Sequence, residues 1–143
     1  MQNFEIIARA VIIQDNKLLL CKRKDRDYYF LPGGHVEFGE RAQDALKREI
    51  REELGVETGD MKFIGAMENF FTEDGTPHHE FNIFFTASLS ANKIESCEEH
   101  ICFHWADIVN LAQENIAPEK LKDSIKKWLA DKQVFWNSCF DKT

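Results

Sequence analysis

The chain has 143 residues, a formal net charge of −7, and 43% hydrophobic against 30% charged residues. That length suits one domain able to bury its own core, and the acidic balance excludes a broad nucleic-acid-binding surface, which needs a basic footprint. An acidic ligand such as a phosphate would need a bound cation and local Lys or Arg to be held.

The opening segment, MQNFEII, has no basic stretch followed by a long apolar run. No signal peptide is expected, and no apolar run is long enough to span a membrane. Residues 4–13 are rich in β-branched and apolar side chains and predict a strand. A turn at Gln14-Asp15-Asn16 leads to a second strand over 17–23, mostly apolar with basic residues at its end. From that end, Lys22 or Arg23 could reach a substrate phosphate or simply extend into water. After a polar loop at 25–28, Tyr29-Phe30-Leu31 predicts a short strand running into Pro32-Gly33-Gly34. The glycines break that strand and let the backbone approach something closely.

A helix is predicted over 41–54, with Gly55 where a helix C-terminal glycine belongs. Strands follow at 61–71 and 79–88, joined at the turn Glu73-Asp74-Gly75. In His78-His79-Glu80, neighbours on a strand point to opposite faces and cannot easily share one ion, though one of them could line a cleft. Residues 91–99 form a polar loop, 101–105 a short strand, and Ala106-Asp107 opens a turn or short helix. Leu121, Ile125, Trp128 and Leu129 have helical spacing within 118–131. The tail, 133–143, carries Phe135, Trp136 and Phe140 and is expected to pack on the domain or on a partner subunit. The twelve phenylalanines suggest an aromatic-rich interior holding most of those rings. Cys21, Cys97, Cys102 and Cys139 form no CxxC pair and read as free thiols in a reducing cytosol. Strands around a central helix, with a second helix late, give an α/β fold with a mixed sheet covered by helices.

The helix over 41–54 carries an unusual stripe. At about 100° per residue, Ala42 and Ala45 align with Glu49, Leu46, Ile50 and Leu54 fan to one side, and Glu52 and Glu53 flank Glu49. Three carboxylates crowded there repel one another and lie at the unfavourable end of the helix dipole. A hard divalent cation such as Mg²⁺ or Mn²⁺ would resolve the conflict. A solvated, salt-bridged helix is the alternative for an isolated acidic stretch. Here the acidic stripe overlaps the core-facing stripe and follows a glycine loop, which favours the metal.

Residues 34–56, GHVEFGERAQDALKREIREELGV, resemble the Nudix box, G-x5-E-x7-R-E-U-x-E-E-x-G-U with U aliphatic. Gly34, Glu40, Arg48, Glu49, Ile50, Glu52, Glu53, Gly55 and Val56 match every specified position. The order of flanking strands and the late helix is also similar, so the resemblance covers nearly the whole chain. It implies an α/β/α sandwich over 1–132, followed by the aromatic tail. It also implies Mg²⁺- or Mn²⁺-dependent hydrolysis of a nucleoside diphosphate linked to another group, in the cytoplasm. The metal ligands implied are Glu49, Glu52, Glu53 and the Gly33 carbonyl, with Arg48 orienting Glu49 and Glu40 steadying the loop-to-helix junction. A glutamate before the strand ending at Trp105 completes such sites or acts as base. By its distance from Trp105, Glu99 stands first and Glu98 second, with Glu49 the competing base. Arg23 is a candidate substrate contact. A fold that binds a nucleotide or metabolite without cleaving it is the alternative, although such proteins usually lose box carboxylates. A small nucleotide substrate, no nucleic-acid polymer, no membrane and a homodimer are the partner expectations.

Overall fold

The computed structural model describes residues 2–91, 94 and 98–141. In chain order its elements are β1 (Phe4–Val11), β2 (Ile13–Gln14), β3 (Lys17–Arg23), β4 (Gly33–His35), α1 (Ala42–Leu54), β5 (Thr58–Glu73) and β6 (Thr76–Leu89). Then come β7 (Ile101–Asp107), a 3-10 helix (Ile108–Gln113), α2 (Leu121–Asp131) and β8 (Phe135–Phe140).

The apolar run over 4–13 forms two strands, not the single one expected. β1 belongs to a five-stranded sheet ordered β4-β1-β6-β5-β8, and β2 to a three-stranded sheet ordered β2-β3-β7. The chain crosses between sheets at Ile12, which is fully buried. Both faces of this segment are covered, which is why its sequence lacks polar alternation. The large sheet is mixed: β1 runs parallel to β6 and β5 parallel to β8, while β1–β4 and β5–β6 are antiparallel.

The glycines also behave differently from the expectation. Tyr29 and Phe30 make only isolated bridges, to Ile116 and Cys21. The paired segment is instead Gly33–His35, an edge strand with Ala8 opposite Gly34 and Arg9 opposite Gly33. Gly33 has φ +142°, and a Cβ there would lie 2.0 Å from the Ala8 carbonyl oxygen. Sheet packing alone therefore demands glycine at this position.

Successive residues of β1 and β6 feed two cores. Ala8, Ala10, Phe85 and Ala87 face α1, packing with Leu46, Ile50 and Leu54. Val11 and Phe84 face the other way, with Ile64, Met67 and the α2 residues Leu121, Ile125 and Trp128. One helix thus covers each face of the large sheet, the expected α/β/α sandwich. Each large aliphatic side chain of α1 contributes about 2 kcal/mol through burial. α1 ends where predicted: Gly55 has φ 68°, and its N–H donates to the Arg51 carbonyl at 3.0 Å. α2 begins at Leu121, after Pro118, slightly later than expected. β5 and β6 run longer than expected because their pairing continues to Glu73 opposite Thr76. Asp74 and Gly75, at φ 50° and 80°, close that hairpin.

Most phenylalanines are not in the core. Phe84, Phe85 and Phe135 are buried, whereas Phe4, Phe38, Phe63 and Phe140 are exposed. The reason is that α1 covers only part of its sheet face, leaving the end bearing Phe4 and Phe140 open. There the two rings pack around His79, which faces away from the cleft side. Cys21, Cys102 and Cys139 are free thiols, and Cys97 lies outside the described residues. No described helix is long and apolar enough to cross a membrane.

The tail residues Phe135–Phe140 form β8, in register with Gly65 to Phe70 of β5. Phe135 inserts beside Phe84, ring centroids 5.5 Å apart, over Gly65, where a Cβ would come within 2.6 Å of its ring. Phe135→Ala is therefore expected to destabilise the whole domain by about 3 kcal/mol. Denaturant unfolding reads this; a change below about 1 kcal/mol would show the tail to be a dispensable appendage.

Candidate active site

Arg48 ties the loop before α1 to the helix. It donates from Nε and Nη2 to the two Glu40 oxygens at 2.9 and 3.0 Å. Nη2 also reaches the His35 carbonyl at 3.1 Å, and Nη1 reaches Glu49 Oε1 at 2.9 Å. Glu52 Oε2 lies 3.5 Å from Nη1. The Glu40 hydrogen bonds raise the Arg48 pKa well above its ordinary value. In return, Arg48 and then the Glu37 N–H hold the Glu40 carboxyl down at about 2. These are charge-assisted bonds in a planar fork, which lysine could not reproduce.

The acidic stripe of α1 descends from water into the core. Glu52 is exposed, Glu49 is mostly covered, and Glu53 is only 5% exposed. Glu49 lies over Gly34: a Cβ on that glycine would sit 2.4 Å from its Cδ. The box glycine therefore clears the space that a carboxylate occupies. Glu53 Oε2 is buried with no hydrogen-bond partner. Burial first, with the charges of Glu49 and Glu98 adding to it, pushes the Glu53 carboxyl up to about 8. Arg9 and the Gly33 N–H act in the opposite direction. A buried carboxyl with an unpaired oxygen is costly unless something else supplies positive charge.

That donor set fits a hard divalent cation. The oxygens come from carboxylates, one of them partnerless, and the Gly33 peptide borders Glu53. Among the described residues no three acidic, His or Cys side chains are already gathered around one point. Glu49 and Glu52 are drawn toward Arg48 instead, so holding a cation requires them to swing toward Glu53.

Beside this acidic centre a cleft of about 430 Å³ opens on the sheet face opposite α1, bordered by Arg9, Arg23, Tyr28, Phe71 and Glu80 among others. Arg9 is half-buried, donates from Nη1 to the Leu31 carbonyl at 3.0 Å, and lies over the Phe30 ring. It joins the cleft to Glu53. Arg23 lines the cleft and also a second pocket with Glu98, while pairing with Asp25 at 2.8 Å. Lys22, the alternative to Arg23, is turned to Asp27 and the Tyr29 ring instead. Of the two loop glutamates, it is Glu98 whose charge acts on Glu53. Both are exposed, and Glu99, placed first by sequence, is not among the groups acting on Glu53.

Sequence reading missed Arg9. It sits inside an apolar strand, IIARAVII, and an isolated cation in such a run was the available signal. Asn82, 2% exposed on the cleft side of β6, was likewise visible as a lone amide between apolar residues.

Residues 5–131 match the NUDIX domain family. An ADP-ribose pyrophosphatase of Methanocaldococcus jannaschii is 30% identical over 123 residues, spanning 83% of this chain and 71% of that protein. The nucleoside triphosphatase NudI of Escherichia fergusonii is 38% identical over 128 residues, 80% of this chain and 91% of that protein. A MutT protein from Bacillus halodurans has the same fold, with a TM-score of 0.75 at 18% identity over 94% of this chain and 88% of that one.

The environment of Glu53 sets the sign of a pH effect. Folded Glu53 keeps its proton to about pH 8, whereas the unfolded side chain loses it near 4.5. The folded state binds more protons across that window, so metal-free stability falls as pH rises through it. Glu53→Gln stays neutral throughout. With chelator present, it should exceed the wild-type stability near pH 9 by on the order of 5 kcal/mol and match it near pH 4. Thermal unfolding at both pH values measures the gap; the same gap at both would mean that Glu53 does not carry this penalty.

Proposed function

The chain belongs to the NUDIX domain family, whose match spans residues 5–131, and from that membership we propose that this Nudix hydrolase cleaves a pyrophosphate bond in a nucleoside diphosphate derivative with the help of Mg²⁺ or Mn²⁺. One observation carries the reading. A buried, partnerless carboxylate, Glu53, feels the charges of Glu49 and of Arg9, and Arg9 in turn lines a cleft together with Arg23. The names of the relatives, an ADP-ribose pyrophosphatase and a nucleoside triphosphatase, support a substrate of this class. A binding-only module would have no use for the complete acidic stripe and the strain it stores.

Glu49, Glu52, Glu53 and the Gly33 carbonyl would hold the cation. When bound, it supplies neutralising charge for the phosphoryl oxygens and activates water for attack. Arg48 donates to Glu49 Oε1 and so would hold this side chain at the edge of the site. Glu40 fixes Arg48 and hence the orientation of Glu49. Arg9 and Arg23 face the side from which phosphates would enter, supplying charge that the acidic chain otherwise lacks. The proton of the attacking water needs an acceptor that is not itself a ligand, since a cation favours the ionised form and weakens a carboxylate as a base. From the loop before β7 the charge of Glu98 acts on Glu53, and on that ground we assign Glu98 the role expected of Glu99.

The test is hydrolysis of a panel of nucleoside diphosphate derivatives and nucleoside triphosphates, with Mg²⁺ and with excess EDTA. Turnover should require the metal; full activity in the stripped protein with EDTA would exclude this chemistry. Glu98→Gln is expected to lower kcat on the order of 10²-fold with metal affinity unchanged. Glu99→Gln should remain within about 2-fold of wild type, because its charge is not among those acting on Glu53. The reverse ranking would restore Glu99, and two silent variants would make Glu49 the base.

A further inference from the structure

The cleft has two chemically different ends. At one end Arg9 acts on Glu53, and Arg23 borders Glu98. Across β1 and β6, Arg9 is opposite Phe84, while Glu80 is opposite Glu5, four residues away along the strand. At about 3.3 Å per residue the cationic end and Glu80 are roughly 13 Å apart. A ligand with anionic and uncharged parts is thereby oriented, anionic part toward Arg9 and Arg23. The volume, about 430 Å³, lies in the range of small-molecule sites.

The far end is built to accept hydrogen bonds. Asn82, 2% exposed, donates from Nδ2 to Glu80 Oε2 at 3.2 Å, which fixes the half-buried carboxylate. Glu73, another cleft carboxylate, is already engaged by Arg26 and Tyr28. Glu80 is not: among the described residues the only hydrogen bond to its carboxylate is the one from Asn82. Its neighbour across the parallel β1–β6 pairing, Glu5, is by contrast held by His35 and His78. Tyr28 and Phe71 supply aromatic surface along the same cleft.

From these features we infer that the Glu80 end of the cleft is a nucleobase site selective for guanine. The inference rests on the nucleotide reading above. A carboxylate only accepts, so the base edge it meets must donate. Uracil and thymine present one N–H between two carbonyl oxygens, which Glu80 would repel. Adenine and cytosine present an amine beside a ring acceptor. Guanine alone places a ring N–H and an amine side by side, matching two carboxylate oxygens, with its carbonyl left for an amide N–H of Asn69 or Asn82. Stacking on an aromatic face adds affinity without selecting the base.

The experiment is calorimetric binding of GMP, AMP, CMP and UMP to the full chain in chelator, so that no turnover intervenes. GMP should bind at least about 10-fold tighter than UMP, the discrimination expected of a paired donor edge. Glu80→Gln keeps the shape and should reduce the ratio to within about 3-fold, since an amide can present a donor to uracil. Equal GMP and UMP affinities, absence of binding, preference for another base, or a preference that survives Glu80→Gln would each overturn the inference. Turnover of guanine and uracil substrates is measured in parallel. Hydrolysis without base preference sinks this inference and leaves the hydrolase reading standing; base preference without hydrolysis does the reverse.

Discussion

The Arg48 guanidinium is the constraint on which the acidic centre depends. It spans the loop and the helix, gripping Glu40 and the His35 carbonyl on one side and Glu49 on the other. Without it, a glycine-bearing edge strand and an amphipathic helix would meet only through apolar contacts, and Glu49 would be free to turn into water. With it, the carboxylate is laid over Gly34, where no larger residue leaves room. The spacing of the box residues follows from this geometry. Arg48 adjoins Glu49 in sequence, and Glu40 stands at the approach to the helix, where its carboxylate meets the guanidinium.

Glu53 is the local conflict that this scaffold supports. The same apolar face that anchors α1 through Leu46, Ile50 and Leu54 carries a carboxylate into the interior. A core optimised for stability would replace it. Its retention beside Glu49 and within reach of Glu98 concentrates negative charge where a phosphate-cleaving site needs a cation. The two glycines serve this region differently. Gly34 clears space for Glu49, whereas Gly33 lets β4 lie against Ala8. Bare backbone at Gly33 is thus explained by the sheet even before any ligand is considered.

Much of this was legible in the sequence because it is local. Gly55 announces the end of α1, the carboxylate stripe follows from helical periodicity, and the box has fixed spacing. What the sequence concealed depends on long-range register. Ile12 looks like any residue of a long strand until two sheets are seen to claim its two sides. The Phe4 and Phe140 rings read as core because aromatic content cannot tell how far α1 reaches across its sheet. Glu80 and Arg9 become ends of one cleft only through the β1–β6 pairing. Glu98 and Glu99 differ by one position, and only the fold shows which charge reaches Glu53.

The central claim is that Glu53 is kept protonated by its surroundings and becomes ionised when a divalent cation binds. Calorimetric titration with Mg²⁺ near neutral pH, in two buffers of different ionisation heat, counts the protons released. The account predicts about one proton per protein near pH 7, and none from Glu53→Gln. Mg²⁺ binding with no proton release between about pH 6 and 8 would contradict it.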